Sequence, residues 1–89
     1  MMKTGLIQNY GRNNMEEIIK KVLNENIDES IISVSGSEAK YTVEIASDMF
    51  LGKNTIDRHK IIYALLDEYI KSGEIHALTI KAHTLDEYK

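Results

Sequence analysis

Imidazoles are the first side chains in this sequence that could do chemistry, at His59, His76 and His83. A neutral imidazole offers a nitrogen lone pair to a metal. His76 stands just past Gly73, at the mouth of the apolar alternation Leu78, Ile80, Ala82. From there its ring could reach solvent at the rim of a sheet. It also shares parity with Leu78 and Ile80, and a regular strand would turn it into the core. Both orientations stay open at the level of pattern. His59 lies on an apolar helical stripe, where a packed, hydrogen-bonded ring is the simpler role. His83 follows the last strand, where a solvated ring is.

Cations come second. Lys53, Arg58 and Lys60 gather around Asn54 with only Asp57 against them. Arg58 is offset from the apolar stripe, so it is expected to be exposed and available to a carboxylate or phosphate. Asp57 and Lys60 would pair at i, i+3. The patch is modest beside the several phosphate contacts of typical nucleic-acid binders. Carboxylates come in adjacent pairs, Glu16-Glu17, Asp28-Glu29, Asp67-Glu68 and Asp86-Glu87, a spacing that suits solvated surface rather than an acid–base couple. Cysteine is absent, which removes thiolate nucleophiles, disulfides and thiolate metal sites. No phosphate-cradling loop and no serine with a nearby base stand out. The chain is expected not to be an enzyme.

The elements that would hold these residues follow from periodicity. Asn14 and Glu17 have the spacing of a capping box, and Met15, Ile18, Ile19, Val22 and Leu23 form the apolar face of a helix ending near Asn24 to Asn26. Ser30 to Ser35 is a β-branched run, a first strand. Ser35 to Lys40 would be the loop of a hairpin, and Tyr41, Val43 and Ile45 alternate as the second strand. After a turn-like passage from Ser47 to Gly52, Ile56, His59, Ile62, Tyr63, Leu66 and Ile70 recur at helical steps. Asn54 or Thr55 would cap that long helix, Tyr63 and Tyr69 would be core or core-rim aromatics, and Gly73 would end it. Leu78, Ile80 and Ala82 alternate as a last strand. The order α-β-β-(α)-α-β reads as a two-layer α+β sandwich.

Length and charge bound the rest. The chain has 89 residues, 43% of them hydrophobic and 28% charged, with a formal charge of −3. This is one soluble domain with a single small core, expected over residues 14–89. Residues 1–13 lack a periodic face and read as a flexible leader. The leader carries Lys3 and Arg12 without any acidic residue. A cytoplasmic location is expected, or an organelle matrix if the leader is a targeting remnant. Apolar runs fall far short of the roughly 20 residues that span a bilayer, so no membrane partner is expected. The negative balance argues against dependence on a phosphate backbone.

Several of these residues together resemble the BolA family. They are Phe50 with Gly52, the pair Arg58-His59 before an apolar helix, the run Ile75-His76-Ala77-Leu78-Thr79-Ile80-Lys81-Ala82, and the short acidic tail Leu85-Asp86-Glu87-Tyr88. The resemblance implies a type II KH-like arrangement, a three-stranded sheet covered on one face by helices. It matches His76 to the histidine implicated in iron–sulfur ligation. It further implies a monothiol glutaredoxin as partner and a [2Fe-2S] cluster shared with that protein and its glutathione, the isolated monomer holding none. Many relatives carry a second ligand, histidine or cysteine, between the first two strands, but the loop Ser35 to Lys40 has neither. Serine and glutamate suit sulfide-bridged iron poorly. The site would then be one ligand short and more labile, or completed by His59 or His83. The family's reputation as transcriptional and stress regulators implies DNA as an alternative partner. Gly52-Lys53-Asn54-Thr55 falls where KH domains place a Gly-x-x-Gly clamp, with Thr55 in place of the second glycine. Lys53, Asn54, Arg58 and Lys60 would then form the binding surface, for DNA or for the docking partner.

Overall fold

The computed structural model describes residues 14–89. The leader expected over 1–13 lies outside the described residues, as does the side chain of Asn14 expected to cap the first helix. Chain order is α1 (Asn14–Asn26), β1 (Ile31–Ser37), β2 (Lys40–Ala46), a 3-10 turn (Asp48–Phe50), α2 (Thr55–Leu65), α3 (Asp67–Lys71), β3 (Ala77–His83) and α4 (Leu85–Tyr88). The three strands form one sheet in the order β1-β2-β3. β1 and β2 pair antiparallel, with Val34 opposite Val43. β2 and β3 pair parallel, with Val43 opposite Ile80. A parallel pair needs a long crossover, which the 3-10 turn, α2 and α3 supply.

Alternation decides which face is covered. Val43, Ile45 and Ile80 point inward and are buried against Ile19 and Leu23 of α1 and against Ile62 and Leu66. Each such side chain contributes about 1.5–3 kcal/mol of transfer free energy. Phe50 and Ile75 join the same core, and both are essentially sealed. The opposite face shows Ser33, Ser35, Thr79 and Lys81 to solvent. This is the expected α+β architecture, helices on one face of a three-stranded sheet, and it is compatible with a KH-like sandwich.

Four local expectations differ. The hairpin loop is two residues, not six positions from Ser35 to Lys40: the strands run to Ser37 and resume at Lys40. Its corner residues Glu38 (φ 55) and Ala39 (φ 67) are both left-handed, the requirement of a type I′ turn whose twist matches the strands. The long helix is interrupted at Leu66 (φ −104, ψ 10), which ends α2 and precedes α3. Within α2 the buried stripe is narrower than the periodicity implied. Ile56 is 65% exposed and Tyr63 is 42% exposed, so neither is core. The acidic tail is a helical turn, α4, closed by a capping box between Thr84 and Glu87.

Candidate functional site

His76 stands at the entrance to β3. The buried side chain of Ile75 anchors the approach, and its amide donates to the carbonyl of Tyr69 at 3.0 Å. Beyond it the chain meets the hairpin tip. The amides of His76 (2.7 Å) and Ala77 (3.0 Å) both donate to the carbonyl oxygen of Ala39. The backbone beneath the imidazole is therefore fixed by two hydrogen bonds, while the side chain itself is exposed. Parity with Leu78 and Ile80 suggested a core orientation, and that orientation is not found. β3 begins only at Ala77, so the ring extends past the packed layer. Among the described residues the His76 ring makes no hydrogen bond, and no group of three or more His, Cys, Asp or Glu residues is arranged to hold a metal ion.

The other two imidazoles lie elsewhere. His59 is half-buried on α2. His83 ends β3, about 23 Å from His76 at ordinary strand rise, and its Nε2 meets Glu44 Oε2 at 3.0 Å. The His83 ring also packs against Tyr88, with centroids 5.9 Å apart. His76 and His83 are thus at opposite ends of one strand and do not form one ligand set.

Arg58 corrects another expectation. Far from being offered to solvent, its side chain is 13% exposed and fully engaged. Nε donates to the Lys53 carbonyl (2.8 Å), Nη1 to the Ala82 carbonyl (3.1 Å) and to Glu87 Oε1 (2.6 Å), and Nη2 to Glu87 Oε2 (3.3 Å). This fork clasps α2, β3 and α4 together, the planar geometry for which arginine is suited. The same guanidinium, helped by the Thr84 amide, holds the Glu87 carboxyl down to about 2 from an ordinary 4.5. Asn54 caps α2, its Oδ1 accepting from the Asp57 amide at 2.9 Å. Lys53 is half-buried and Lys60 exposed. Among the described residues Asp57 and Lys60 form no ion pair. With Arg58 neutralised by Glu87, the cationic patch keeps only its two lysines.

Two positions that hold this region together were not read from the sequence. Ala39 acts through its carbonyl oxygen, which no side-chain pattern announces. Glu87, read as a solvated surface carboxylate, carried a usable signal in the Thr84-x-x-Glu87 spacing of a capping box; its second role, on Arg58, depends on the fold.

Comparison with known proteins agrees with this fold. A family model described as BolA-like protein matches residues 13–87. An uncharacterized protein in the rpoN-murA intergenic region of Acinetobacter guillouiae is 36% identical over 73 residues, covering 82% of this chain and 88% of that one. The DNA-binding transcriptional regulator BolA of Escherichia coli K12 is 36% identical over 55 residues, 62% of this chain and 51% of that protein. Among solved structures, BolA1 from Arabidopsis thaliana superposes with a TM-score of 0.76 at 27% identity, covering 84% of this chain and 96% of the other. On the family match across nearly all described residues, the chain belongs to the BolA family.

Proposed function

We propose that this chain is a non-enzymatic adaptor in iron–sulfur cluster trafficking or iron sensing, docking on a monothiol glutaredoxin and lending His76 to a [2Fe-2S] cluster they share. The observation that carries the reading is His76 itself: an exposed imidazole, free of hydrogen bonds among the described residues, on a backbone fixed to Ala39. One neutral nitrogen fits a site whose other ligands come from the glutaredoxin and its glutathione, and iron accepts imidazole readily. Bound there, the cluster would supply the redox and transfer chemistry. This chain's part is to present the ring in a set direction and keep it solvent-accessible. Because His83 is remote and paired with Glu44, and the hairpin tip has only Glu38 and Ala39, the chain contributes a single strong ligand. Ligation of this kind is asymmetric, which favours cluster hand-over.

The test is anaerobic reconstitution of the chain with a monothiol glutaredoxin and glutathione. A mixed cluster with a visible spectrum unlike that of the glutaredoxin alone is expected, and His76→Ala should abolish the difference. An unchanged spectrum in that variant rejects the ligand role. The relative that bears the name of a DNA-binding regulator favours a second reading, nucleic-acid binding through Lys53 and Lys60. A gel shift across a salt series decides it: Lys53→Glu with Lys60→Glu should weaken binding and flatten the salt slope, and no binding at low salt dismisses it.

A further inference from the structure

We propose that the free edge of β1 is a docking site for an extended, acidic segment of a partner chain, added as a fourth strand. The evidence begins with hydrogen-bond direction. Ala39 accepts from His76 and Ala77, and Ser47 donates to the His83 carbonyl at 2.9 Å. The odd-numbered residues of this strand region therefore turn their backbone groups toward β3, which leaves those of Lys40, Thr42, Glu44 and Ala46 for β1. Their partners are Ser37, Ser35, Ser33 and Ile31. By the alternation of an antiparallel ladder, Ile32 and Val34 must point their N–H and C=O groups away from the sheet. Among the described residues these are the unpaired groups of an edge strand.

Proteins usually blunt such an edge with charge, proline or a covering element. The two edges here are treated differently. On β3, Arg58 occupies the Ala82 carbonyl, and Lys81 and His83 lie in the strand. β1 has the sequence IISVSGS, with no charged residue and no proline. Beside it α1 forms a groove of about 410 Å³ lined by Glu17, Lys20, Lys21, Asn24, Ser30 and Ile32. A helix standing next to an open strand edge is the setting in which an extended peptide gains main-chain hydrogen bonds from the strand and side-chain selection from the helix.

Charge selects the occupant. Lys20 and Lys21 are exposed and make no ion pair among the described residues, and of the side chains lining the groove only Glu17 is acidic, Glu16 and Glu25 of the same helix lying outside it. A segment with carboxylates spaced along one face complements that rim. A second copy of this chain is disfavoured, because a two-fold axis on β1 would bring the lysines of both α1 helices together. The chain's own residues 1–13 are disfavoured too, since they carry Lys3 and Arg12 and no carboxylate.

The test uses the full chain, isotopically labelled, with a short capped peptide alternating valine and glutamate and its valine–lysine counterpart. The acidic peptide should shift the Ile32 and Val34 amides in NMR titration and slow their exchange with solvent; the lysine peptide should not. Val34→Pro removes an outward N–H that the β1–β2 ladder does not use, and it should abolish binding. Lys20→Glu with Lys21→Glu, surface changes that leave the fold intact, should weaken the acidic peptide by roughly tenfold or more and let the lysine peptide bind instead. Equal response to both peptides, or shifts confined to regions outside β1 and α1, would overturn the proposal. So would β1 amides already protected in the free chain, whether the protection depends on protein concentration (a second copy) or disappears on deleting residues 1–13.

Discussion

Arg58 and Glu87 show how one pair of side chains can settle the role of a region. Three of the four hydrogen bonds made by the Arg58 guanidinium go to the last strand or α4, so the arginine is structural cement rather than bait for a ligand. Glu87 is half-exposed, and its carboxyl is held down to about 2. An acid whose folded pKa is depressed adds stability that is present above its unfolded value and lost as pH falls through the folded one. The α4 clasp should therefore be intact above about pH 4.5 and loosen as pH drops toward 2. Following the Tyr88 and Thr84 amides by NMR from pH 6 downward should show that step, and Glu87→Gln should erase it. His76→Ala should behave oppositely: an exposed ring with no partner among the described residues leaves stability within about 0.5 kcal/mol, measured by urea unfolding, while the mixed-cluster spectrum disappears. The type and position of His76 were legible in the sequence, but its orientation was not. Parity alone pointed it inward, and only the end of the packed layer beyond Ala77 turns it out.

Among the elements, the β1–β2 hairpin shows most clearly what pattern reading misses. Strand alternation at Tyr41, Val43 and Ile45 gave the second strand and its buried face directly. The turn's place within Ser35 to Lys40 was legible, but its two-residue length was not, because Glu38 and Ala39 are not residues that favour positive φ. They adopt it because the strands on either side are fixed and the Ala39 carbonyl is taken by the amides of His76 and Ala77. Gly36 belongs to the same corner: with φ 136, it leaves room where a Cβ would collide with the Lys40 carbonyl oxygen. Left-handed backbone costs a non-glycine residue roughly 1–2 kcal/mol. Replacing the corner by Glu38→Asn with Ala39→Gly should thus raise stability by about 1 kcal/mol or more, read as a higher urea midpoint at unchanged slope. The break at Leu66 escaped notice for a different reason. Ile62, Leu66 and Ile70 keep helical spacing across it, so the periodicity runs on although the backbone does not.

At the level of the whole molecule, a single apolar core serves every surface. Phe50, on the 3-10 turn, is buried alongside residues of α1, β2 and α2. Phe50→Ala should cost about 3–5 kcal/mol, a large share of a small domain's stability, and calorimetry should show a strongly lowered or lost unfolding transition. The α+β layering was legible because each element's apolar face recurs at a regular period in the sequence. The spatial separation of candidate residues was not, since it depends on strand direction. His76 enters β3 and Arg58 touches its far end at Ala82, so the imidazole and the lysine-bearing loop face different neighbours. Lys53→Glu with Lys60→Glu should leave cluster reconstitution unaltered, and visible spectra of that variant with the glutaredoxin check it. 

The carbonyl oxygen of Ala39 is shared by the two amides that flank the imidazole-bearing backbone unit. A longer or shorter tip between the first two strands would displace that oxygen and swing His76 with it, leaving the ring's own chemistry untouched. Hairpin length is therefore a tuning knob for where the nitrogen points, set by main-chain atoms rather than by the imidazole itself.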